Sequence, residues 1–169
     1  MKRPRLLLIA GMPATGKTHF GEWLEAERGY VHVDAEVHGH LERVGVHGLW
    51  NGARETGDAT ALASALRSLA NPVVINWGFP PPCLPFVCAL KDAGFVLWWF
   101  DAQVALSRSE YIRAGRPIHA FDTQVSAIGA ARQVIEAAFT PNIITTLKAN
   151  AVRLTPATIF DAICKRKPR

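Results

Sequence analysis

Only three cysteines, Cys83, Cys88 and Cys164, occur in 169 residues, with no CxxC pair and no metal-ligand spacing. A disulfide scaffold and a zinc-ribbon site are excluded, and reduced thiols filling space are expected. No apolar run reaches the ~18 to 20 residues that a membrane span needs. The opening MKRPRLLLIAG has the charged-then-apolar order of a secretory leader. Its apolar part is too short, however, and Gly16-Lys17 follows directly, so a cytoplasmic protein is expected. Internal repeats and low-complexity segments are absent as well, which excludes solenoids and disordered tracts.

Positive charge is lacking where a nucleic-acid groove would need it. The chain carries a formal charge of +5, but Lys2, Arg3, Arg5, Lys165, Arg166, Lys167 and Arg169 supply seven of its nineteen basic residues. Without these ends, twelve basic residues face fourteen acidic ones, and the body is at about −2. A polynucleotide partner would require basic charge spread over one face, so nucleic acid is not expected.

What is present is alternation. RLLLIA (5–10) is apolar throughout, as a parallel strand buried on both faces should be. KTHFGEWLEAER (17–28) follows with helical spacing and Gly29 as its stop. Further strand-like runs are YVHVD (30–34), VVINW (73–77), FVLWWFD (95–101) and NIITTL (142–147). Helical patterns cover 59–70, 83–94, 102–115 and 123–138, and Thr155-Pro156 opens a last helix as N-cap and first residue. Residues 35–57 resist assignment, because five glycines and several histidines interrupt them. The alternation implies an α/β domain: a parallel sheet of five strands with helices on both faces. Ligands of such sheets sit beyond the carboxyl ends of the strands, where Gly11, Asp34, Gly78 and Asp101 fall.

Between the first strand and first helix stands GMPATGKT, a complete G-x-x-x-x-G-K-[ST] motif in the context it requires. Gly11, Met12, Pro13, Ala14, Thr15 and Gly16 form a loop able to wrap a phosphate with backbone N–H groups, which side chains at the glycines would obstruct. The following helix adds the positive end of its dipole. Lys17 reaches the β- and γ-phosphates, and Thr18 offers a hydroxyl to Mg²⁺. ATP and Mg²⁺ are therefore the expected ligands. A guanine-type N-K-x-D and a D-x-x-G switch are both missing.

With this loop, the acid of HVDAE and the arginines of SRSEYIRAGRP, the chain resembles the P-loop small-molecule kinases: the shikimate, gluconate, adenylylsulfate and nucleoside-monophosphate kinases and zeta-toxin-like proteins. The resemblance spans nearly all of residues 1–169 as one domain, although only GMPATGKT is sharp. It implies a three-layer P-loop NTPase fold with strand order 2-3-1-4-5, an acceptor-side segment at 35–57 and a short lid within 113–121. By similarity Asp34 would orient the acceptor hydroxyl and help hold Mg²⁺ with Thr18, with Glu36 as a further candidate; the plainer alternative has it capping the next helix. Arg108 would stack on adenine, and Arg113 and Arg116 would contact the phosphates as catalytic groups beside Lys17; the alternative is surface arginine. VRLTPATIFDAI matches the adenine-side loop and last helix. The third strand departs from the pattern: VVINWGF has Asn76 where many relatives carry an acid, which shifts the metal load to Thr18 and Asp34, while Trp77 and Phe79 would wall a substrate pocket or fill the core.

The resulting expectation is ATP-dependent phosphoryl transfer to a hydroxyl of a small metabolite. The alternative is an ATPase or nucleotide-dependent switch working with a protein partner. Acceptor identity and oligomeric state are left open, as is the role of His32, His38, His40 and His47, which lack metal-ligand spacing.

Overall fold

The computed structural model describes residues 3–149 and 152–166; Lys2, Lys167 and Arg169 of the basic ends lie outside them. Five parallel strands, β1 (Leu6–Gly11), β2 (Val31–Asp34), β3 (Val73–Asn76), β4 (Val96–Ala102) and β5 (Ile143–Leu147), form one sheet in the order β2-β3-β1-β4-β5. β1 is central, with Leu6 opposite Val73 on one side and Leu7 opposite Val96 on the other.

Its unbroken apolarity follows from being covered twice. Leu6, Leu8 and Ala10 face one core layer, while Leu7 and Ile9 face the other. The second layer is closed by α1 (Lys17–Arg28) through Phe20 and Leu24, and by α9 (Pro156–Lys165) through Ile159 and Ile163. The first is closed by α3 (His47–Thr56), α4 (Thr60–Ser68), α5 (Leu84–Asp92) and α8 (Arg132–Phe139). Each fully buried Leu or Ile on these faces stabilises the fold by about 1.5–3 kcal/mol relative to exposure.

Two segments differ from their sequence reading. Within 35–57 the chain forms α2 (His40–Arg43) and a full helix, α3. Gly45 and Gly57 take positive φ outside α3, whereas Gly48 and Gly52 lie within it, where Trp50 and Ala53 bury one face. Tertiary packing outweighs the low helix propensity of those two glycines. The helix expected over 123–138 is instead α7 (Ile118–Ala130) followed by α8, interrupted at Ala131. The break falls where Arg132 forks onto Asp101 at 2.7 and 3.0 Å, so an acid at the ligand edge of the sheet is occupied in joining α8 to β4.

The last helix begins as its sequence requires, with the Thr155 hydroxyl accepting from the Thr158 N–H at 3.2 Å and Pro156 next. Of the basic ends, Arg3 donates to the Arg28 carbonyl at 2.8 Å, and Arg5 donates to the carbonyls of Arg67, Leu69 and Ala70. Both therefore sit at the amino edge of the sheet, opposite Gly11. Among the described residues no helix is long and apolar enough to cross a membrane.

Candidate functional site

The loop from β1 to α1 is fixed from its carbonyl side. Thr15 Oγ1 donates to the Met12 carbonyl at 2.7 Å, and Thr146 Oγ1 on β5 donates to the Thr15 carbonyl at 2.9 Å. Arg153 Nη2 donates to the Ala14 carbonyl at 3.2 Å, and the Ser107 hydroxyl donates to that of Pro13. The N–H groups of Ala14, Thr15 and Gly16 find no partner among the described residues, and the first N–H groups of α1 have none within a helix. A run of anchored carbonyls and free amides is the donor arrangement that an anion satisfies.

Gly11 is dictated by space and Gly16 by its left-handed backbone. A Cβ on Gly11 would enter the Phe100 main chain, and one on Gly16, at φ 88°, would lie 2.7 Å from Arg153 Nη1. Ala14 accepts φ 56° without being glycine, a strain of about 1–2 kcal/mol that the anchored loop holds in place.

Lys17 folds its ammonium onto the Met12 and Gly11 carbonyls at 2.9 and 3.2 Å. Burial brings its pKa down to about 8; Glu36 and Asp34 oppose that pull, and Arg116 adds slightly to it. An ammonium already short of water is held by weak acceptors here and would gain from phosphate oxygens. Beside it, Thr18 Oγ1 donates to Asp34 Oδ2 at 2.9 Å, and the Glu36 N–H donates to Asp34 Oδ1 at 3.0 Å. Both oxygens of the buried Asp34 are thus engaged, one of them at the hydroxyl expected to meet Mg²⁺. Among the described residues the Glu36 carboxylate has no hydrogen-bond partner, and it lies 3.1 Å from where a Cβ of Gly78 would be, in the cleft.

Beneath this pair Asn76, in register with Asp34, shares a 2.9 Å hydrogen bond with His32 Nε2. Burial lowers the His32 pKa, against the pull of Asp34 and Glu25. Of the other histidines, His40 Nδ1 accepts from the Asp34 N–H at 3.1 Å, and His47 pairs with Glu42 at 2.9 Å. They support the β2 loop, and among the described residues no three His, Cys, Asp or Glu side chains converge as a metal cage.

The arginines separate. Arg113 and Arg116 line the cleft, the first held by Glu110 at 2.5 Å and the second over the Tyr111 ring at 5.6 Å. They belong to a hairpin of α6 (Val104–Arg113) and α7, closed on itself by Tyr111 and Phe121 at 5.2 Å. Arg108 does not join them; it pairs with Asp122 at 3.5 Å, outside the cleft. Arg153, which the sequence reading passed over, does join. It bridges the loop and Glu110 at 3.2 Å, and its Nη1 is buried without a partner among the described residues. The adenine-side resemblance had marked its loop, but nothing in the sequence set this arginine apart from its neighbours.

The cleft has a volume of about 1140 Å³ and continues past Glu36 to Arg54, Trp77, Phe79 and Trp99. The free loop amides, the orphaned Nη1 of Arg153, the desolvated Lys17 and the Thr18–Asp34 pair together fit a polyphosphate with a hard cation.

No known protein-family profile matches the sequence, and no curated protein matches it. Among solved structures, a tunicamycin resistance protein from Deinococcus radiodurans superposes with a TM-score of 0.56 at 18% identity, over 96% of this chain and 94% of that one. A gluconokinase from Sinorhizobium meliloti superposes with a TM-score of 0.57 at 14% identity, over 96% and 91%. At these identities the likeness concerns architecture, and the chain has the three-layer α/β fold of the P-loop NTPases.

Proposed function

We propose that this protein is an ATP-dependent kinase that phosphorylates a hydroxyl group of a small molecule. The observation that carries this reading is the convergence of Lys17, Thr18 and Asp34 on a loop with free amides, at one end of a cleft that continues past Glu36. A bare nucleotide switch has no need of that continuation.

ATP supplies the phosphoryl group, and Mg²⁺ would be held by Thr18 and Asp34, offsetting charge on the phosphates. The loop amides bind and orient the polyphosphate, and Lys17 stabilises charge as the bond from the γ-phosphorus to the β-bridging oxygen breaks. The acceptor oxygen forms the new bond to that phosphorus and gives its proton to Glu36, while ADP leaves. Asp34, occupied by Thr18 and the Glu36 N–H, positions the metal rather than the acceptor. Arg113 and Arg116 close the phosphates from the hairpin, and Arg153 does so from the β5 side.

Coupled ADP release with ATP–Mg²⁺ across hydroxyl-bearing acceptors tests the reading. Acceptor-dependent turnover that Glu36→Gln reduces about a hundredfold is expected. Tight nucleotide binding with only acceptor-independent hydrolysis, accelerated by a protein partner, would instead mark an ATPase or switch.

A further inference from the structure

The half of the cleft beyond Glu36 has a chemistry that narrows the acceptor. Trp77, Phe79 and Trp99 line it while being at most 5% exposed. Their rings are in sequence, Trp77 to Phe79 at 5.5 Å and Phe79 to Trp99 at 6.2 Å. Trp50 and Phe86 back Trp77 at 5.2 and 5.7 Å, and Phe139 backs Trp99 at 5.4 Å, so the wall is rigid. Ile128 continues the apolar surface. A polyhydroxylated acid has a hydroxyl on nearly every carbon and must find a partner for each on leaving water. This wall offers few. A flat apolar ring would instead pack against the exposed edges of these side chains and release water.

Arg54 is the cation of this surface, and Thr123 and Gln124 of α7 line the same cleft. Arg54, on α3, lines the cleft with its guanidinium 5.6 Å from the Trp77 ring centroid. Its side chain has Cys83 Sγ at 3.7 Å, a weak acceptor, and no carboxylate in ion-pair range among the described residues.

We infer that the acceptor is a hydroxyl-bearing molecule built on a flat apolar ring and carrying an anionic group. The ring packs on Trp77, Phe79 and Trp99, the anion pairs with Arg54, and the hydroxyl lies beside Glu36 toward the phosphate loop. The reaction is the transfer described above, which this inference presupposes. An apolar body selects against sugar acids by leaving their hydroxyls unpaired.

Three probes separate the contributions: 3-phenyllactate has ring, hydroxyl and carboxylate; 3-phenylpropane-1,2-diol lacks the carboxylate; gluconate lacks the ring. Binding of each to the full chain is followed by tryptophan quenching, with and without a non-hydrolysable ATP analogue and Mg²⁺. Phenyllactate is expected to bind at least about tenfold more tightly than gluconate. Arg54→Gln is expected to weaken phenyllactate about tenfold and leave the diol unchanged. Tighter binding of gluconate, binding of neither class, or equal losses for phenyllactate and diol in Arg54→Gln would overturn the inference. Nucleotide binding is measured separately by calorimetry. A chain that binds the analogue but prefers gluconate refutes the ring-bearing acceptor and leaves the kinase reading intact; one that binds no nucleotide refutes the kinase reading itself.

Discussion

Around Gly16 the cleft wall consists of main-chain groups and charges tied by hydrogen bonds, whereas around Phe79 it consists of rings from the segment after β3 and from β4, backed by rings of α3, α5 and α8. The first region works by direction: a donor aimed a fraction of an ångström away no longer meets its phosphate oxygen. The second works by area, and an aromatic exchanged for another apolar side chain still presents a surface. Single substitutions should therefore act very differently at the two ends.

The most damaging change is expected at Lys17. Lys17→Met keeps an apolar stem in its half-buried place and removes the ammonium, so turnover should fall by about a thousandfold or more while the circular dichroism spectrum is retained. Retained turnover would mean that charge at this end is dispensable and would erase the contrast. Gly16→Ala comes next, because its Cβ meets Arg153 Nη1 at 2.7 Å in a left-handed backbone. Nucleotide affinity should drop about a hundredfold, with roughly 1–2 kcal/mol lost in stability. Adding Arg153→Ser should recover part of the stability but not the affinity, as calorimetry and denaturant titration together would reveal.

At the ring end, Phe79→Leu should raise the acceptor KM about tenfold and cost about 1–2 kcal/mol of stability, with the nucleotide Kd unaltered. A shift in nucleotide Kd as large as that in KM would show that the two regions are not separable. The smallest effect is a pH dependence confined to the phosphate end. Lys17 titrates near 8 in the free protein because it is desolvated, and bound polyphosphate favours its charged form. Nucleotide binding must then take up a proton, and affinity should fall about fourfold between pH 7 and 8.5. Calorimetry in buffers of different ionisation enthalpy would detect the uptake, and Lys17→Met should abolish it.

The same contrast explains what could be seen in the sequence. The phosphate end is local: eight consecutive residues, GMPATGKT, carry its geometry, and the strand and helix flanking them declare themselves by pattern. The sheet followed for the same reason, since buried parallel strands such as LLLIAG are apolar at every position. Asp34 was legible because it ends a strand beside the loop. At the ring end, Trp77 and Phe79 are readable from the sequence as a pocket wall or as core filling, whereas Arg54 and Trp99 come from distant segments and join them only in the fold. Arg153 escaped notice because its place on the loop is a contact across 139 residues. Arg108 reads as an adenine-stacking partner of the group because it shares a segment with Arg113 and Arg116; the fold instead places it against Asp122. The split of 123–138 into α7 and α8 likewise depends on Asp101, three elements away by sequence.

The excursion that carries α2 and α3 leaves the sheet at Asp34 and returns through α4 to β3, which is the strand lying directly beside β2. Its ends are thus already neighbours, and lengthening or shortening it re-registers no strand and adds little loop-closure entropy. Arg54 and Trp50 ride on this excursion, while GMPATGKT does not. The stretch that brings Arg54 to the cleft can therefore change in length without disturbing the sheet that holds GMPATGKT.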